Sequence, residues 1–410
     1  MSAPPDLETG LRDRVVEELP RAVELRRTLH REPRVSGEEG PTLRTLLRAL
    51  DGIPSWCFPG HVGIARAGAP SGPAVGLRVE LDALPVRETT DAPWASRNGA
   101  MHACGHDVHM AAGVALARAV HATPGAVPLV LVLQPREEQV PSGAVDVLAQ
   151  GVLDGHDIAA MVGVHVQPML PRGTVSAVAG PVNAAADTVT ITVTGRPGHA
   201  AYPHRTADPV VASAHLISTL QTLVSRWADP MNPTVLTIGS IHGGESPNVV
   251  PAEVTLTGTL RTFDEAERTE LASAIVKVAD QVCAAHRCSA ETRIDFGDPV
   301  LLNDADLVRH TLPRLAAAGL EPGTDLRSCG ADDFANYCPH YPSLMIFTGA
   351  GSGPSGPGLH HPSFLPSEDD IDAVVRSMLA GYLGAVDRLR ASPSSIPFLP
   401  SSGAMNDLVQ

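Results

Sequence analysis

Apolar positions along the chain follow three patterns in turn. Leu11, Val15, Leu19 and Val23 recur at helical spacing with Arg and Glu between them. That helix continues through Leu-Arg-Arg-Thr-Leu-His at 25–30 and stops before Pro33. Pro20 either kinks it or opens a second helix. Residues 1–10 are expected to fray, and His30 to cap or solvate a helix end. Ser36, Glu38 and Glu39 start another helix running to Leu50, their charges suiting its N-terminus. Continuous apolar runs at 74–81, 128–133 and 158–166 read as buried strands, and 111–120 as a small-residue helix. Past 184 the pattern changes. Residues 187–195 alternate Thr and Val, the period of a half-exposed strand. A helix at 208–227, strands at 234–241 and 253–261, a helix at 265–285 and a strand at 291–296 follow. The order β-α-β-β-α-β is that of a ferredoxin-like split unit. The first pattern then resumes, with a helix at 307–319, a polar turn at 328–334 and a strand at 343–347. A Gly- and Ser-rich loop at 349–358 and a helix at 371–389 complete it.

These elements predict an α/β fold. A central catalytic domain has a mostly parallel sheet with flanking helices, and carries an inserted ferredoxin-like α+β domain. Its first part spans 11–183, the insertion 184–296 and its second part 297–390. The Ser- and Pro-rich segment 391–410 reads as a mobile tail. Two domains also suit 410 residues, too many for one ordinary core. A formal net charge of −15 argues against nucleic acid and anionic membranes as partners. No run of eighteen or more apolar residues offers a membrane span. The polar start lacks a signal-peptide core, so a cytoplasmic protein is expected. Six cysteines in a chain this long form no disulfide framework, which leaves Cys104 available to a metal.

The densest chemistry lies in Met-His-Ala-Cys-Gly-His-Asp-Val-His at 101–109. In an extended segment Cys104 and His106, one residue apart, point to one face. Gly105 lets the backbone turn between them. Thiolate and imidazole together suit zinc, manganese, cobalt or nickel. A lone Cys-x-His is more often a buried thiol beside surface histidines. The strand ends change that balance. Asp82 follows the first run, Glu137 and Glu138 the second, and His165 closes the third, where open α/β sheets place their sites. Glu80 and Asp82 share a face; taken alone they could be two solvated carboxylates. Adjacent glutamates cannot share a strand face, so one can hold an ion while its neighbour takes a proton from water. His360, after the Gly-rich loop, is placed to reach back into such a site.

A resemblance covers nearly the whole folded chain, from Leu25 to about Asp370. Its pieces include Leu-Asp-Ala-Leu-Pro at 81–85, Met-His-Ala-Cys-Gly-His-Asp at 101–107 and Gln-Pro-Arg-Glu-Glu at 134–138. Gly-Val-His-Val at 163–166, Gly-His-Ala-Ala-Tyr-Pro-His at 198–204 and Ser-Pro-Asn-Val-Val-Pro at 246–251 continue it. Gly-Thr-Leu-Arg-Thr-Phe-Asp at 258–264 and Leu-His-His-Pro at 359–362 close it. In these the chain resembles the metal-dependent N-acyl-amino-acid amidohydrolases, the family of hippurate hydrolases, indole-acetyl-amino-acid hydrolases and related aminoacylases. The resemblance implies hydrolysis of the amide of an N-acyl amino acid at two divalent metal ions. Manganese or zinc is implied first, with cobalt or nickel as alternatives. Cys104 would bridge the ions, with His106, Glu138, His165 and His360 as the other ligands; His360 is preferred to His361 because it follows the leucine.

Glu137 would be the general base and Asp82 would orient a ligand. The inserted domain would act as a lid and form a homodimer, lending His199 to the other subunit's oxyanion. Asn248 and Arg261 would contact substrate, although a turn asparagine and a surface arginine explain them equally well. Three positions depart from the family pattern. Glu80 replaces an aspartate, at a position where distant metallopeptidases have a metal-binding histidine, which would put Glu80 near the ions. The usually Gly-rich loop is Gln-Val-Pro-Ser-Gly at 139–143 and should be stiffer. Asp332 stands where glutamate is common. The alternatives are a dinuclear metallopeptidase acting on dipeptides or a C-terminal residue, and a non-catalytic binding homologue. The complete ligand set and Glu137 argue against the latter.

Overall fold

The computed structural model describes residues 5–391 apart from 324, 352, 354 and 355. The tail expected from 391 lies, beyond Ala391, outside the described residues. Two compact units are present. One comprises the chain up to Gly180, Asn303–Leu326 and the segment from Asn336 on; the other is Pro181–Leu302 with Arg327–Ala335.

In the first unit, helix α1 (Pro5–Arg31) already begins within the stretch expected to fray. It also passes through Pro20 as a single helix. Proline removes the hydrogen bond to the carbonyl four residues back. Here Pro20 and Val16 are both exposed, so that carbonyl stays on the solvent side. Helix α2 (Gly40–Ala49) starts later than expected. Ser36 is used elsewhere, its hydroxyl donating to Asp82, and Glu39 accepts from Gly37 N–H instead of opening a turn at 36.

The first unit's sheet has eight strands. Strands β1 (Ser55–Cys57), β2 (Gly63–Ala67), β3 (Ala74–Glu80), β4 (Leu129–Gln134) and β5 (Ile158–Pro171) lie in the order β1-β2-β4-β3-β5. Strand Ser343–Gly351 and the short strands Thr174–Ser176 and Glu321–Pro322 extend it beyond β5. The central four, β4, β3, β5 and Ser343–Gly351, are parallel. Strands β1 and β2 are absent from the sequence reading because the first is three residues long and the second is Gly-Ile-Ala-Arg-Ala, with no period to detect. Strand β5 outruns its expected end at 166. Pro168 and Pro171 mimic a terminus, yet pairing with Ser343–Gly351 continues through an irregularity at Gly349–Gly351. Helix α3 (His106–His121) packs closely on this sheet. A Cβ at Gly113 would fall 2.7 Å from Val79 Cγ1, so only glycine permits the approach. The core joins Leu77, Val79, Leu131, Val162 and Ile346 to α1, α3 and the helix Glu368–Ala391.

The second unit has the expected β-α-β-β-α-β order. Its antiparallel strands lie as Thr234–His242, Glu253–Thr262, Ala185–Thr194 and Ser289–Phe296, the spatial order of a ferredoxin-like sheet. Asp208 and Asp264 cap its helices Pro209–Thr222 and Glu265–Ala285 by accepting backbone N–H bonds. The first of these ends in a π-turn at Leu223–Trp227, inside the span expected to be one helix. No described helix is long and apolar enough to cross a membrane. None of the six cysteines is in a disulfide.

Candidate metal centre

Parallel strand register brings the ends of β3 and β4 level with the interior of β5. Glu80 pairs with Gln134, and Arg78 with Gly163, which puts His165 level with Glu80. His165 therefore sits inside β5 rather than closing it. Cys104 and His106 reach this level by a route other than the extended segment expected. Gly105 adopts a left-handed φ of +87° and His106 is the first residue of α3. A Cβ at Gly105 would lie 2.4 Å from Val166 Cγ2, so the turn depends on glycine twice over. Cys104 Sγ then stands 3.4 Å from His165 Nε2.

His106 Nδ1 faces two acceptors, the Asp82 carbonyl at 2.9 Å and its Oδ1 at 3.5 Å, which assigns the proton to Nδ1. Its Nε2 is buried without a hydrogen-bond partner and lies 3.7 Å from Glu137 Oε2. Burial works against the His106 cation, but the Asp82 carboxylate outweighs it and holds the pKa above the ordinary value. Burial likewise works against ionised Asp82. His106, the Glu138 N–H at 3.0 Å and the Ser36 hydroxyl at 2.7 Å together bring its pKa down to about 2. Asp82 is thus a fixed anion buried beneath the site, and Glu80 is buried as well, so neither is a solvated strand-end carboxylate. Ser36, which sequence reasoning assigned to a helix start, supports Asp82; its only signal was a hydroxyl just before Glu38-Glu39.

Glu137 and Glu138 follow β4 in a turn rather than in the strand, so adjacent carboxylates reach one cluster after all. Glu138 Oε1 is 3.2 Å from His360 Nε2. His360 has a left-handed φ of +65° and its N–H donates to Ala103 O at 2.9 Å, tying its loop to the Cys104 turn. His361 is engaged elsewhere, its Nδ1 accepting from the Ser363 N–H at 3.2 Å.

Among the described residues of this unit, donor atoms gather as Cys104/His106/His165, Cys104/Glu138/His360 and His106/Glu137/Glu138. Within each group they lie within 4.8 Å of one another. A thiolate, three imidazoles and carboxylates form a donor set for borderline divalent metals. The bare, buried Nε2 of His106 fits such an ion. Glu80 belongs to none of these groups. Its carboxylate is bound by Arg78 and by His109 Nδ1 at 3.0 Å.

His30 is also not the solvated cap expected. It is fully buried, its Nδ1 2.8 Å from Asp107 Oδ2 and its Nε2 3.2 Å from Glu88 Oε2. Arg26 Nε donates to the same Asp107 oxygen at 2.6 Å and its guanidinium lies over Trp94 at 4.1 Å. Arg26 and His30, four apart on α1, thereby clamp α3 next to His106. The i, i+4 spacing was legible, but burial of both side chains was not. Burial disfavours the His30 cation, yet the Asp107 and Glu88 carboxylates raise its pKa above 6.5. Burial also disfavours the two anions, but Arg26 and His30 hold Asp107 low, and His30 holds Glu88 low. The His30 contribution is complete below pH 6.5 and disappears as pH rises through its folded-state pKa. Those of Asp107 and Glu88 disappear as pH falls through theirs. The melting temperature is therefore expected to decline on the alkaline side, with that limb flattened in His30→Gln. Arg26→Met, which leaves buried Asp107 paired with His30 alone, should cost about 3–5 kcal/mol in urea unfolding. A His30→Gln profile parallel to wild type would contradict this assignment.

Three expected site residues belong to the second unit. His199 and Asn248 are exposed neighbours on the pairing of Gly198–His199 with Val249–Val250. His199 Nδ1 accepts from Ala201 N–H at 3.1 Å, and the Asn248 carbonyl accepts from Ala200 N–H at 3.0 Å. Arg261 is half-buried in Glu253–Thr262, between Val235 and Ala186.

The family model for peptidase family M20/M25/M40 matches residues 76–382. The N-acetyl-L-cysteine deacetylase of Bacillus subtilis strain 168 is 36% identical over 357 residues, 85% of this chain and 84% of that protein. An N-acyl-L-amino acid amidohydrolase of Geobacillus stearothermophilus is 34% identical over 299 residues, 70% of this chain and 79% of that protein. Among solved structures, a dinuclear metal-binding peptidase of the M20 family from Bacillus subtilis superposes with a TM-score of 0.79 at 29% identity, covering 90% of this chain and 98% of that one.

Proposed function

The chain belongs to peptidase family M20/M25/M40, and on that footing we propose that it hydrolyses the amide bond of an N-acyl amino acid, releasing a carboxylic acid and the free amino acid. The observation that carries the reading is Cys104, whose thiolate is shared by two donor groups beside a glutamate pair. Named relatives that act on N-acyl amino acids support the substrate class.

In this reading Cys104, His106, Glu138, His165 and His360 hold two divalent ions, with zinc or manganese the first choice for such donors. Bound there, the ions supply Lewis-acid polarisation of the scissile carbonyl and acidify the attacking water. The chain's own residues do the rest. Asp82 holds His106 with its proton on Nδ1, so that Nε2 is free to ligate. Glu137, on the turn beside His106, removes a proton from the water and returns it to the departing amine. His199 of the partner subunit is assigned to the oxyanion. Asn248 and Arg261 are assigned to the substrate's carboxylate end, where a guanidinium can bind in bidentate fashion.

The test is a set of initial rates on N-acetyl and N-benzoyl amino acids against unblocked dipeptides. The N-acyl compounds are expected to be cleaved and the dipeptides to be poor substrates. Preferential cleavage of dipeptides would transfer the reading to peptidase chemistry at the same donors.

A further inference from the structure

Behind the donor cluster lies a line of buried groups that no proposed step uses. Arg78 and Glu80 are neighbours on β3, and Glu80 Oε2 is 3.0 Å from His109 Nδ1. His109 Nε2 in turn receives the Val166 N–H at 3.0 Å. The same Val166 residue is gripped at its other end, where its carbonyl lies 2.7 Å from His165 Nδ1. All five residues are buried.

The proton positions follow from what each group can do. A backbone N–H only donates, so His109 Nε2 is the bare nitrogen and Nδ1 carries the proton, given to Glu80. A carbonyl only accepts, so His165 carries its proton on Nδ1. Its Nε2 is then the nitrogen with a lone pair, and it faces Cys104 Sγ at 3.4 Å. Val166 also packs on Gly105, whose absent Cβ would come within 2.4 Å of Val166 Cγ2. A shift at Val166 would therefore disturb both His165 and the Cys104–His106 turn.

We infer that Glu80 and His109 are positioning residues for the metal centre: through the Val166 N–H they fix the backbone that sets the tautomer and direction of the His165 imidazole. Arg78 holds the Glu80 carboxylate in place, and Glu80 and His109 are both buried behind the donor cluster. Groups that orient a ligating histidine are worth about 10–100-fold in metal affinity when removed. The inference rests on the reading of Cys104 and His165 as ligands, and is independent of which amide is cleaved.

Cobalt titration of metal-free protein tests it, with affinity taken from competition against a chelator and geometry from the visible d–d absorption. His109→Phe keeps the volume but abolishes both hydrogen bonds, and is expected to bind cobalt about 10-fold or more weakly with an altered spectrum. In His109→Gln the side-chain carbonyl can stand where Nε2 stood and accept from Val166, so affinity should recover toward wild type. Glu80→Gln, which removes the charge behind His109, should also weaken binding, and it decides the matter if His109→Phe does not fold. Wild-type affinity and spectrum in His109→Phe and Glu80→Gln would overturn the relay alone. A wild-type protein that takes up no cobalt would overturn the ligand assignment and the relay with it.

Discussion

Glu137→Gln is expected to retain its metal and lose about 10²–10⁴-fold in kcat on an N-acyl amino acid. The amide matches the carboxylate in size but cannot take a proton from water, and so has none to return to the leaving amine. Glu137 Oε2 stands 3.7 Å from His106 Nε2, in a turn beside the donors rather than behind them. Its neighbour Glu138 is the one in contact with His360. The substitution should therefore remove the base and spare the ligands. Elemental analysis beside steady-state kinetics checks both halves. Turnover close to wild type would require another base, and loss of metal would make Glu137 a ligand instead.

Cys104→Ser should have an equally large effect by a different route. A thiol gives up its proton to a metal, whereas a serine hydroxyl in the same place stays protonated and donates poorly to a borderline ion. Cys104 belongs to two of the three donor groups described within its unit, so one atom's change weakens both. Removing an outer partner of a ligand costs about 10–100-fold in affinity, and loss of a shared ligand should exceed that. Purified Cys104→Ser is expected to carry little metal and to lack activity at ordinary metal concentrations. A full metal complement in that variant would contradict the shared role of Cys104.

The α/β architecture and the gathering of donors were legible because both rest on local patterns. Uninterrupted apolar runs mark parallel strands buried on both faces, and their ends in Asp82 and Glu138 pointed to one rim of the sheet. Alternation of Thr and Val at 187–195 marked the half-exposed sheet of the second unit. What sequence could not give was the fate of each polar side chain under burial. His30 looked like a helix end because nothing in α1 announces Asp107, 77 residues away in sequence. The strand pattern fixes the face of Glu80 but not its partners, Arg78 and His109. Cys104 and His106 were rightly placed together for the wrong local reason. A left-handed glycine at a helix start does what an extended i, i+2 pair was expected to do. His109 was visible inside the motif, but its role depends on the peptide of Val166, which only the register of β5 brings near.

The most direct test of metal-dependent amide hydrolysis is the rate of N-acetyl amino acid cleavage by the purified protein. It is measured after chelation, and again after zinc, manganese, cobalt or nickel is restored. The rate is expected to vanish on chelation and to return with at least one of these metals. Cleavage that continues undiminished in metal-free protein would contradict the account at its centre, the cluster around Cys104.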